Sequence, residues 1–271
     1  MIVLAIDTAG REGSVALADA GRGRFALLGL APLAGGTYSA LLIPKIMALL
    51  EAAGVSKEKI DLLAVNSGPG SFTGLRVGLA TVKGLAESLS KPIVAISGLE
   101  ALAVAAKLSP QQTETGCPTS RPAVGLTWEE PSHRVIVALD AQRKEVYAGE
   151  YELRGEAHQD QPDSQKDATA QDISPRADCV SERLLSLTDF IAEAAERNPL
   201  RAVYTPDATV EHALQAAGIA VETVARPRAD LMARIGATRF REGKTISAEE
   251  LDANYIRRSD AEIFSPSRQA K

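Results

Sequence analysis

The sequence predicts an α/β protein of two lobes, each a mixed β-sheet flanked by helices. Three observations carry this. The chain opens with a continuous apolar run, Ile2 to Ile6, as in a central strand covered on both faces, and the run breaks at Asp7-Thr8-Ala9-Gly10. Strand-like and helix-like patterns then follow in the order β, β, β, α, β, α, β, α. A second buried-looking run, Val135 to Asp140, again ends in an aspartate, and the alternating run Glu145 to Leu153 pairs with it, partly repeating the beginning of the chain.

Ser14 to Leu17 and Arg24 to Leu30 read as short strands joined through Asp19-Ala-Gly-Arg-Gly23, so a three-stranded meander opens the fold. Thr37 to Ala53 places Leu41, Leu42, Ile46, Leu49 and Leu50 at helical spacing and stops at Gly54, with Pro44 kinking the helix or marking its first turn. Ile60 to Val65 is the next strand. The stretch Asn66 to Gly78, Asn-Ser-Gly-Pro-Gly-Ser-Phe-Thr-Gly-Leu-Arg-Val-Gly, then forms a glycine-rich elbow before an amphipathic helix, Leu79 to Leu89, with Ser71 and Thr73 as candidate caps. Pro92 to Ile96 is a strand and Gly98 to Lys107 an alanine-rich helix, which completes a first lobe, 1–108.

Residues 109–134 read as a linker and 135–258 as the second lobe, with a polar insertion at 155–178. Ser181 to Arg197 is expected to be a helix capped by Ser181. Ala202 to Tyr204 is a strand, Thr209 to Ala217 a helix, Ile219 to Val224 a last strand and Arg228 to Glu242 a helix. The C-terminal segment is a candidate to return to the first lobe, and 259–271 is a tail.

Composition narrows the function. With 45% hydrophobic residues over 271 positions the chain can bury substantial cores, and its net charge of −5 disfavours autonomous binding of nucleic acid. The two cysteines, Cys117 and Cys179, make neither a disulfide framework nor a metal site, which fits a reducing compartment. The N-terminus lacks a basic region and meets Asp7 early, so it reads as a buried strand and not as a signal peptide; no apolar run is long enough to span a membrane, and the expected location is the cytoplasm.

The elbow invites a phosphate-loop reading but fails the spacing tests. Thr73 stands where a dinucleotide fingerprint needs its third glycine, and the Lys-Ser/Thr pair of a P-loop is missing. Two uses stay open: a helix N-terminus facing an anion through Gly70 and Ser71, or a capped helix start packed on its neighbour. Asp7, beside Thr8, could hold a hydrated cation or orient water in a nucleotide cleft, or simply form a turn, and Asp140 has the same two readings. His133, His158 and His212 form no metal cluster, and Ser71 does not lie in a G-x-S-x-G elbow, which argues against a zinc or serine hydrolase.

The strand and helix order of the first 108 residues resembles one lobe of the actin, hexokinase and Hsp70 (ASKHA) superfamily. More specifically, Ile6-Asp7-Thr8, the Gly68 to Gly78 run, Ser97-Gly98 to Leu102 and the Asp140-Ala to Glu145-Val-Tyr147 segment resemble the TsaB family, also called YeaZ, over 1–108 and again over 135–153, with a weaker return at Asn254 to Arg258. The resemblance implies a non-catalytic subunit in the formation of N6-threonylcarbamoyladenosine at position 37 of tRNAs that read codons starting with A. The implied catalyst is the paralogue TsaD, which holds a metal through a His-x-x-x-His motif. TsaE, an ATPase, joins the assembly, and TsaC makes the adenylate that is consumed. No cofactor of its own is implied, ATP or ADP could bind at a composite interface, and tRNA is met only through the complex.

In that family the first long helix and the helix after the glycine motif bundle with their equivalents in TsaD or in a second TsaB. Carried over, Tyr38, Leu41, Leu42, Lys45, Ile46 and Leu49, with Arg76, Leu79, Val82, Lys83 and Ala86, become interface candidates; the alternative is an ordinary core face, and the helices carry nearly enough apolar residues for both. Asp7, Thr8, Gly70, Ser71, Asp140 and Arg143 are the nucleotide-proximal candidates. Two departures stand out. The family's His-Ser at the start of the first helix is Thr37-Tyr38-Ser39 here, and its Asp-Ala-Arg is Asp140-Ala-Gln142, so that Arg143 either replaces the family arginine or the contact is lost. The rival readings are a sugar-kinase-like or ATPase enzyme on the same fold and, with no metal motif to support it, a glycoprotease-like peptidase.

Overall fold

A computed structural model describes residues 1–21, 24–108, 133–154, 176–197 and 202–256. Its first half runs β1 (Ile2–Asp7), β2 (Glu12–Asp19), β3 (Ala26–Ala34), α1 (Tyr38–Ala52), a 3-10 turn at Lys57–Lys59, β4 (Ile60–Gly68), α2 (Phe72–Leu89), β5 (Ile93–Ser97) and α3 (Gly98–Leu108). The second half runs β6 (His133–Asp140), β7 (Glu145–Arg154), β8 (Arg176–Ser186), α4 (Leu187–Arg197), β9 (Val203–Thr205), α5 (Ala208–Ala216), β10 (Val221–Thr223) and α6 (Ala229–Arg241).

The two sheets have orders β3-β2-β1-β4-β5 and β8-β7-β6-β9-β10, so the second repeats the first with every strand advanced by five. In each, three strands form an antiparallel meander and the fourth and fifth run parallel to the first. This is the two-lobed plan of the actin, hexokinase and Hsp70 superfamily. It places Asp7 and Asp140 at equivalent strand ends.

Strand alternation sorts the core into three. On one face of the first sheet, Leu4, Ile6, Val15, Leu17, Leu63 and Val65 pack against α1 and α2. The other face, with Val3, Ala5, Ala16, Leu62 and Ala64, joins α3, α6 and the inner face of the second sheet in one shared cluster. The outer face of the second sheet, with Ile136, Ala138, Val146 and Ala148, packs on α4 and α5. Helices α3 and α6 therefore sit between the sheets, and α6 lies against β1, β2, β4 and β5 although it is the last helix among the described residues. The Ala229 N–H donates to Ser14 Oγ at 2.9 Å, and Ile246 bridges to Ile93 beyond the helix.

Four expectations change. Helix α2 begins at Phe72, seven residues ahead of the apolar pattern, because Gly74 and Gly78 are helical and buried but have no side chain to mark the period. Arg176–Ser186 is a strand, where the sequence pattern predicts the end of a polar insertion followed by the start of a helix. Leu184 and Leu185 pair with Tyr147 and Val146, and hydrogen bonds to β7 outweigh local helical spacing. Ser181 thus caps nothing; Ser186 does, its Oγ accepting from the Asp189 N–H at 3.0 Å. Pro44 lies two turns inside α1, not in its first turn. The linker up to residue 132, residues 155–175 of the insertion, the tail, Arg257, Arg258, Cys117 and His158 lie outside the described residues.

Candidate functional site

Between the two halves lies a cleft of about 1600 Å³. It is lined by both strand-end aspartates, by the elbow at Gly70 and Ser71, and by Arg11, Arg143 and Arg226. Of the six nucleotide-proximal candidates, Asp7, Gly70, Ser71, Asp140 and Arg143 come together there. Thr8 does not: its side chain is buried beneath α2, donating from Oγ1 to the Gly74 carbonyl at 2.8 Å.

The elbow geometry favours packing over anion binding. The space that a Cβ on Gly70 would need is held by the Ala9 backbone, and that beside Gly74 by the Thr8 carbonyl. Both glycines let α2 sit directly on the β1–β2 turn. The Ser71 N–H is spent on the Ala9 carbonyl at 2.7 Å, and Ser71 Oγ caps α2 by accepting from the Gly74 N–H at 3.3 Å. Two backbone donors near the turn are thus already satisfied within the chain.

Asp7 is buried, and burial pushes its carboxyl above the usual range. Hydrogen bonds from the Ala9 N–H and Asn66 Nδ2, each 3.0 Å, and the charge of Arg226 pull the other way. Burial also raises the Tyr38 phenol to about 12, so that its hydroxyl stays protonated and donates to the Gly10 carbonyl at 2.8 Å.

The second half has no equivalent glycine elbow. Thr205-Pro206-Asp207 stands there, and the Asp207 carboxylate fills the position: it accepts from the Asp140 N–H at 2.9 Å and pairs with the Arg226 guanidinium. A carboxylate thus stands at the turn where the first half has its glycine elbow. Asp140 is engaged as well, with Gln142 donating to its two oxygens from the backbone N–H (2.7 Å) and from Nε2 (3.0 Å). Gln142, Arg143 and Lys144 all have left-handed φ, 63°, 55° and 61°, and form the exposed tip of the β6–β7 hairpin. Among the described residues no group of three or more His, Cys, Asp or Glu side chains gathers to hold a metal.

Asp207 and Arg226 escaped the sequence reading, and Gln142 entered it only as the position where the family arginine is missing. Aligning the two halves strand by strand would have put Asp207 opposite the glycine elbow. No local pattern marks Arg226.

The second feature is the outer face of α1 and α2, which pack side by side. Of the interface candidates, Tyr38, Leu42, Ile46, Leu79, Val82 and Ala86 are core: Leu42 is 1% and Val82 0% exposed. Their side chains are spent on the first-lobe core, although Tyr38 also lines the cleft. Lys45, Leu49 and Lys83 are half-buried, while Leu41 and Arg76 are exposed. The exposed apolar positions are instead Leu41, Ile43 (48%) and Met47 (53%) on α1 and Phe72 (42%) on α2. On α2 the sequence Phe72, Arg76, Ala80, Gly84 runs every fourth residue along one exposed stripe. Helix α1 is thus apolar on both sides, which a helix on a water-facing surface does not need. No helix of the described residues is long and apolar enough to cross a membrane.

The family model described as "TsaD: tRNA N6-adenosine threonylcarbamoyltransferase" matches residues 32–263. A Haemophilus influenzae protein named tRNA threonylcarbamoyladenosine biosynthesis protein TsaB is 28% identical over 257 residues, covering 95% of this chain and 94% of its own. The Escherichia coli protein of the same name is 28% identical over 264 residues, covering 96% of each. The solved structure of YeaZ from Pseudomonas aeruginosa superposes with a TM-score of 0.62 at 24% identity, over 93% of this chain and 100% of that one, and shares the fold. The chain belongs to the tRNA N6-adenosine threonylcarbamoyltransferase (TsaD) family, on its TsaB/YeaZ branch.

Proposed function

We propose that this protein acts in the formation of threonylcarbamoyladenosine on tRNA as a non-catalytic subunit, pairing through the exposed face of α1 and α2 with a TsaD-type paralogue that carries out the transfer. The observation that carries this is the doubly apolar α1. Leu42, Ile46 and Leu50 hold it to the sheet, and Leu41, Ile43 and Met47 are left exposed, as is Phe72 on the neighbouring α2. A paralogue of the same fold presents an equivalent helix pair, so four helices can close a bundle around these side chains. A second copy of this chain is the competing occupant.

Two features support a supporting role over independent catalysis. The three histidines of the sequence, His133, His158 and His212, cannot form the His-x-x-x-His metal site expected of the transferase. At the second-lobe turn a carboxylate, Asp207, takes the Asp140 N–H and pairs with Arg226, which adds negative charge where a nucleotide's phosphates would need donors and so favours the supporting role. ATP or ADP belongs, on this reading, where the partner adds groups to the cleft, with a TsaE-type ATPase joining the complex and a TsaC-type protein supplying the adenylate it consumes. The net charge of −5 leaves tRNA to be held by that complex.

The test is reconstitution. The purified chain is mixed with a TsaD-type partner, complex formation is followed by size-exclusion chromatography with light scattering, and tRNA threonylcarbamoylation is assayed with and without the chain. A stable heterodimer and dependence of modification on it are expected. No complex and no change in modification would sink the proposal, and ATP hydrolysis by the chain alone that is lost in Asp7→Ala would favour the kinase-like reading.

A further inference from the structure

The segment 251–256 touches the first-lobe core, the second lobe and the exposed start of α2. Leu251, fully buried, anchors it in the first lobe. Three residues on, the Asn254 N–H donates to the Ser67 carbonyl at 2.7 Å, just where β4 enters the elbow, and its side chain reaches the other lobe: Nδ2 donates to Glu182 Oε2 at 2.6 Å. Glu182, on β8, also accepts from the hydroxyls of Ser97, at the end of β5, and of Tyr151, on β7. One carboxylate thus gathers donors from the first lobe, the second lobe and the C-terminal segment. Hydrogen bonds to a charged acceptor are roughly twice as strong as neutral ones.

The next residue carries the connection to the surface. The Tyr255 ring lies 5.4 Å from that of Phe72, the first residue of α2. The Arg76 guanidinium stands over the Phe72 ring at 3.7 Å, and its Nε donates to the Tyr255 hydroxyl at 3.4 Å. Phe72 and Tyr255 are each about two-fifths exposed, so this stack is the outer end of the α2 stripe.

We infer that residues 251–256 are a strap, latched by Glu182, through which the relative position of the lobes is coupled to the first turn of α2. Movement of β8 away from the lobe junction pulls the Glu182 carboxylate from Asn254, and with Asn254 released, Tyr255 no longer holds Phe72 and Arg76. Coupling of this kind is reciprocal: whatever engages Phe72 and Tyr255 shifts the lobes, and whatever closes the lobes orders the surface of α2. Asn254 and Glu182 are positioning residues in this scheme. It holds whether or not the partner is a TsaD-type protein.

Amide hydrogen exchange on the full chain, with no partner present, tests the coupling. Glu182→Gln keeps the shape and removes the charge, and Asn254→Ala removes only the side-chain latch. Both are expected to raise exchange about tenfold in the peptides covering 250–256 and 72–78, matching loss of one charge-assisted bond, while 38–52 is unchanged. In the reverse direction Phe72→Ala should raise exchange at 180–184. If 72–78 exchanges as in the wild type in Asn254→Ala, the strap is a local tie and the inference is wrong. That variant decides the matter even where Glu182→Gln loosens the whole chain.

Discussion

Thr8 and Gly74 interlock: the Thr8 hydroxyl donates to the Gly74 carbonyl at 2.8 Å, while the Thr8 carbonyl holds the space a Cβ on Gly74 would need. One turn later, that same hydroxyl fills the space beside Gly78. Gly74→Ala and Gly78→Ala must therefore push α2 off β1, and each should cost about 1–3 kcal/mol despite the better helix propensity of alanine. Gly84 lies in the same helix with nothing within 4 Å of its would-be Cβ, and Gly84→Ala should gain about 0.5–1 kcal/mol. Urea unfolding of the three variants checks this, and equal effects at all three positions would show that helix propensity, not the Thr8 contact, governs the elbow.

What the sequence could and could not reveal follows from the range of the forces involved. β1, β4 and β6 announce themselves because a strand buried on both faces must be apolar at every position. The two-lobed plan follows from the recurrence of Ile2–Asp7 as Val135–Asp140. The start of α2 stays hidden because two of its buried positions, Gly74 and Gly78, are glycines that answer to Thr8, some seventy residues away. β8 stays hidden because Leu184, Leu185, Leu187, Phe190 and Ile191 fit a helical period, and only the pairing with β7 decides otherwise. The faces of α1 could not be told apart for a different reason. A helix with apolar residues on more than one face gives a period but not a single stripe, so Leu42 and Leu41 look alike in the sequence although one is core and the other surface. In the cleft, Asp7 and Asp140 were legible as strand ends, whereas Arg226 and Asp207 are paired by the fold alone.

That division of α1 makes the interface testable without confusing binding with folding. Leu42→Arg and Val82→Arg bury a charge in the first-lobe core and should unfold it, costing several kcal/mol. Met47→Asp and Ile43→Asp alter exposed positions and should leave unfolding within about 0.5 kcal/mol of wild type. Their effect should appear in binding, as a loss of about 2 kcal/mol or more, near thirtyfold in affinity for the TsaD-type partner by calorimetry. Unchanged affinity in both aspartate variants would remove this face as the interface.

The latch has its own prediction at the surface. Tyr255→Ala removes the ring beside Phe72 but no core contact, so thermal stability should change little. If the stack is part of the partner face, affinity should fall by about 1 kcal/mol, the size of one aromatic contact. A surface plasmon resonance cycle of the same substitution with Met47→Asp would show whether the two positions engage the partner independently, additive losses being expected if they share no partner side chain.

Glu100, in the first turn of α3, is buried between the lobes with its Oε2 2.8 Å from Arg239 Nη2, and that guanidinium also donates to the Ala95 carbonyl at 2.8 Å. Burial lifts its carboxyl from 4.5 to about 7, Arg239 opposing and Glu182 assisting. The folded protein therefore binds more protons than the unfolded chain between these two values. Stability from this group is full below about 4.5, declines as pH rises, and is lost above about 7, a change of about 3 kcal/mol. Glu100→Gln keeps the shape and abolishes the titration. Measured by urea unfolding, the stability of Glu100→Gln relative to wild type should rise by that amount between pH 4.5 and 8. A difference that stays constant with pH would mean that Glu100 is ionised throughout this range, held so by Arg239, and that the junction between the lobes carries a permanent ion pair.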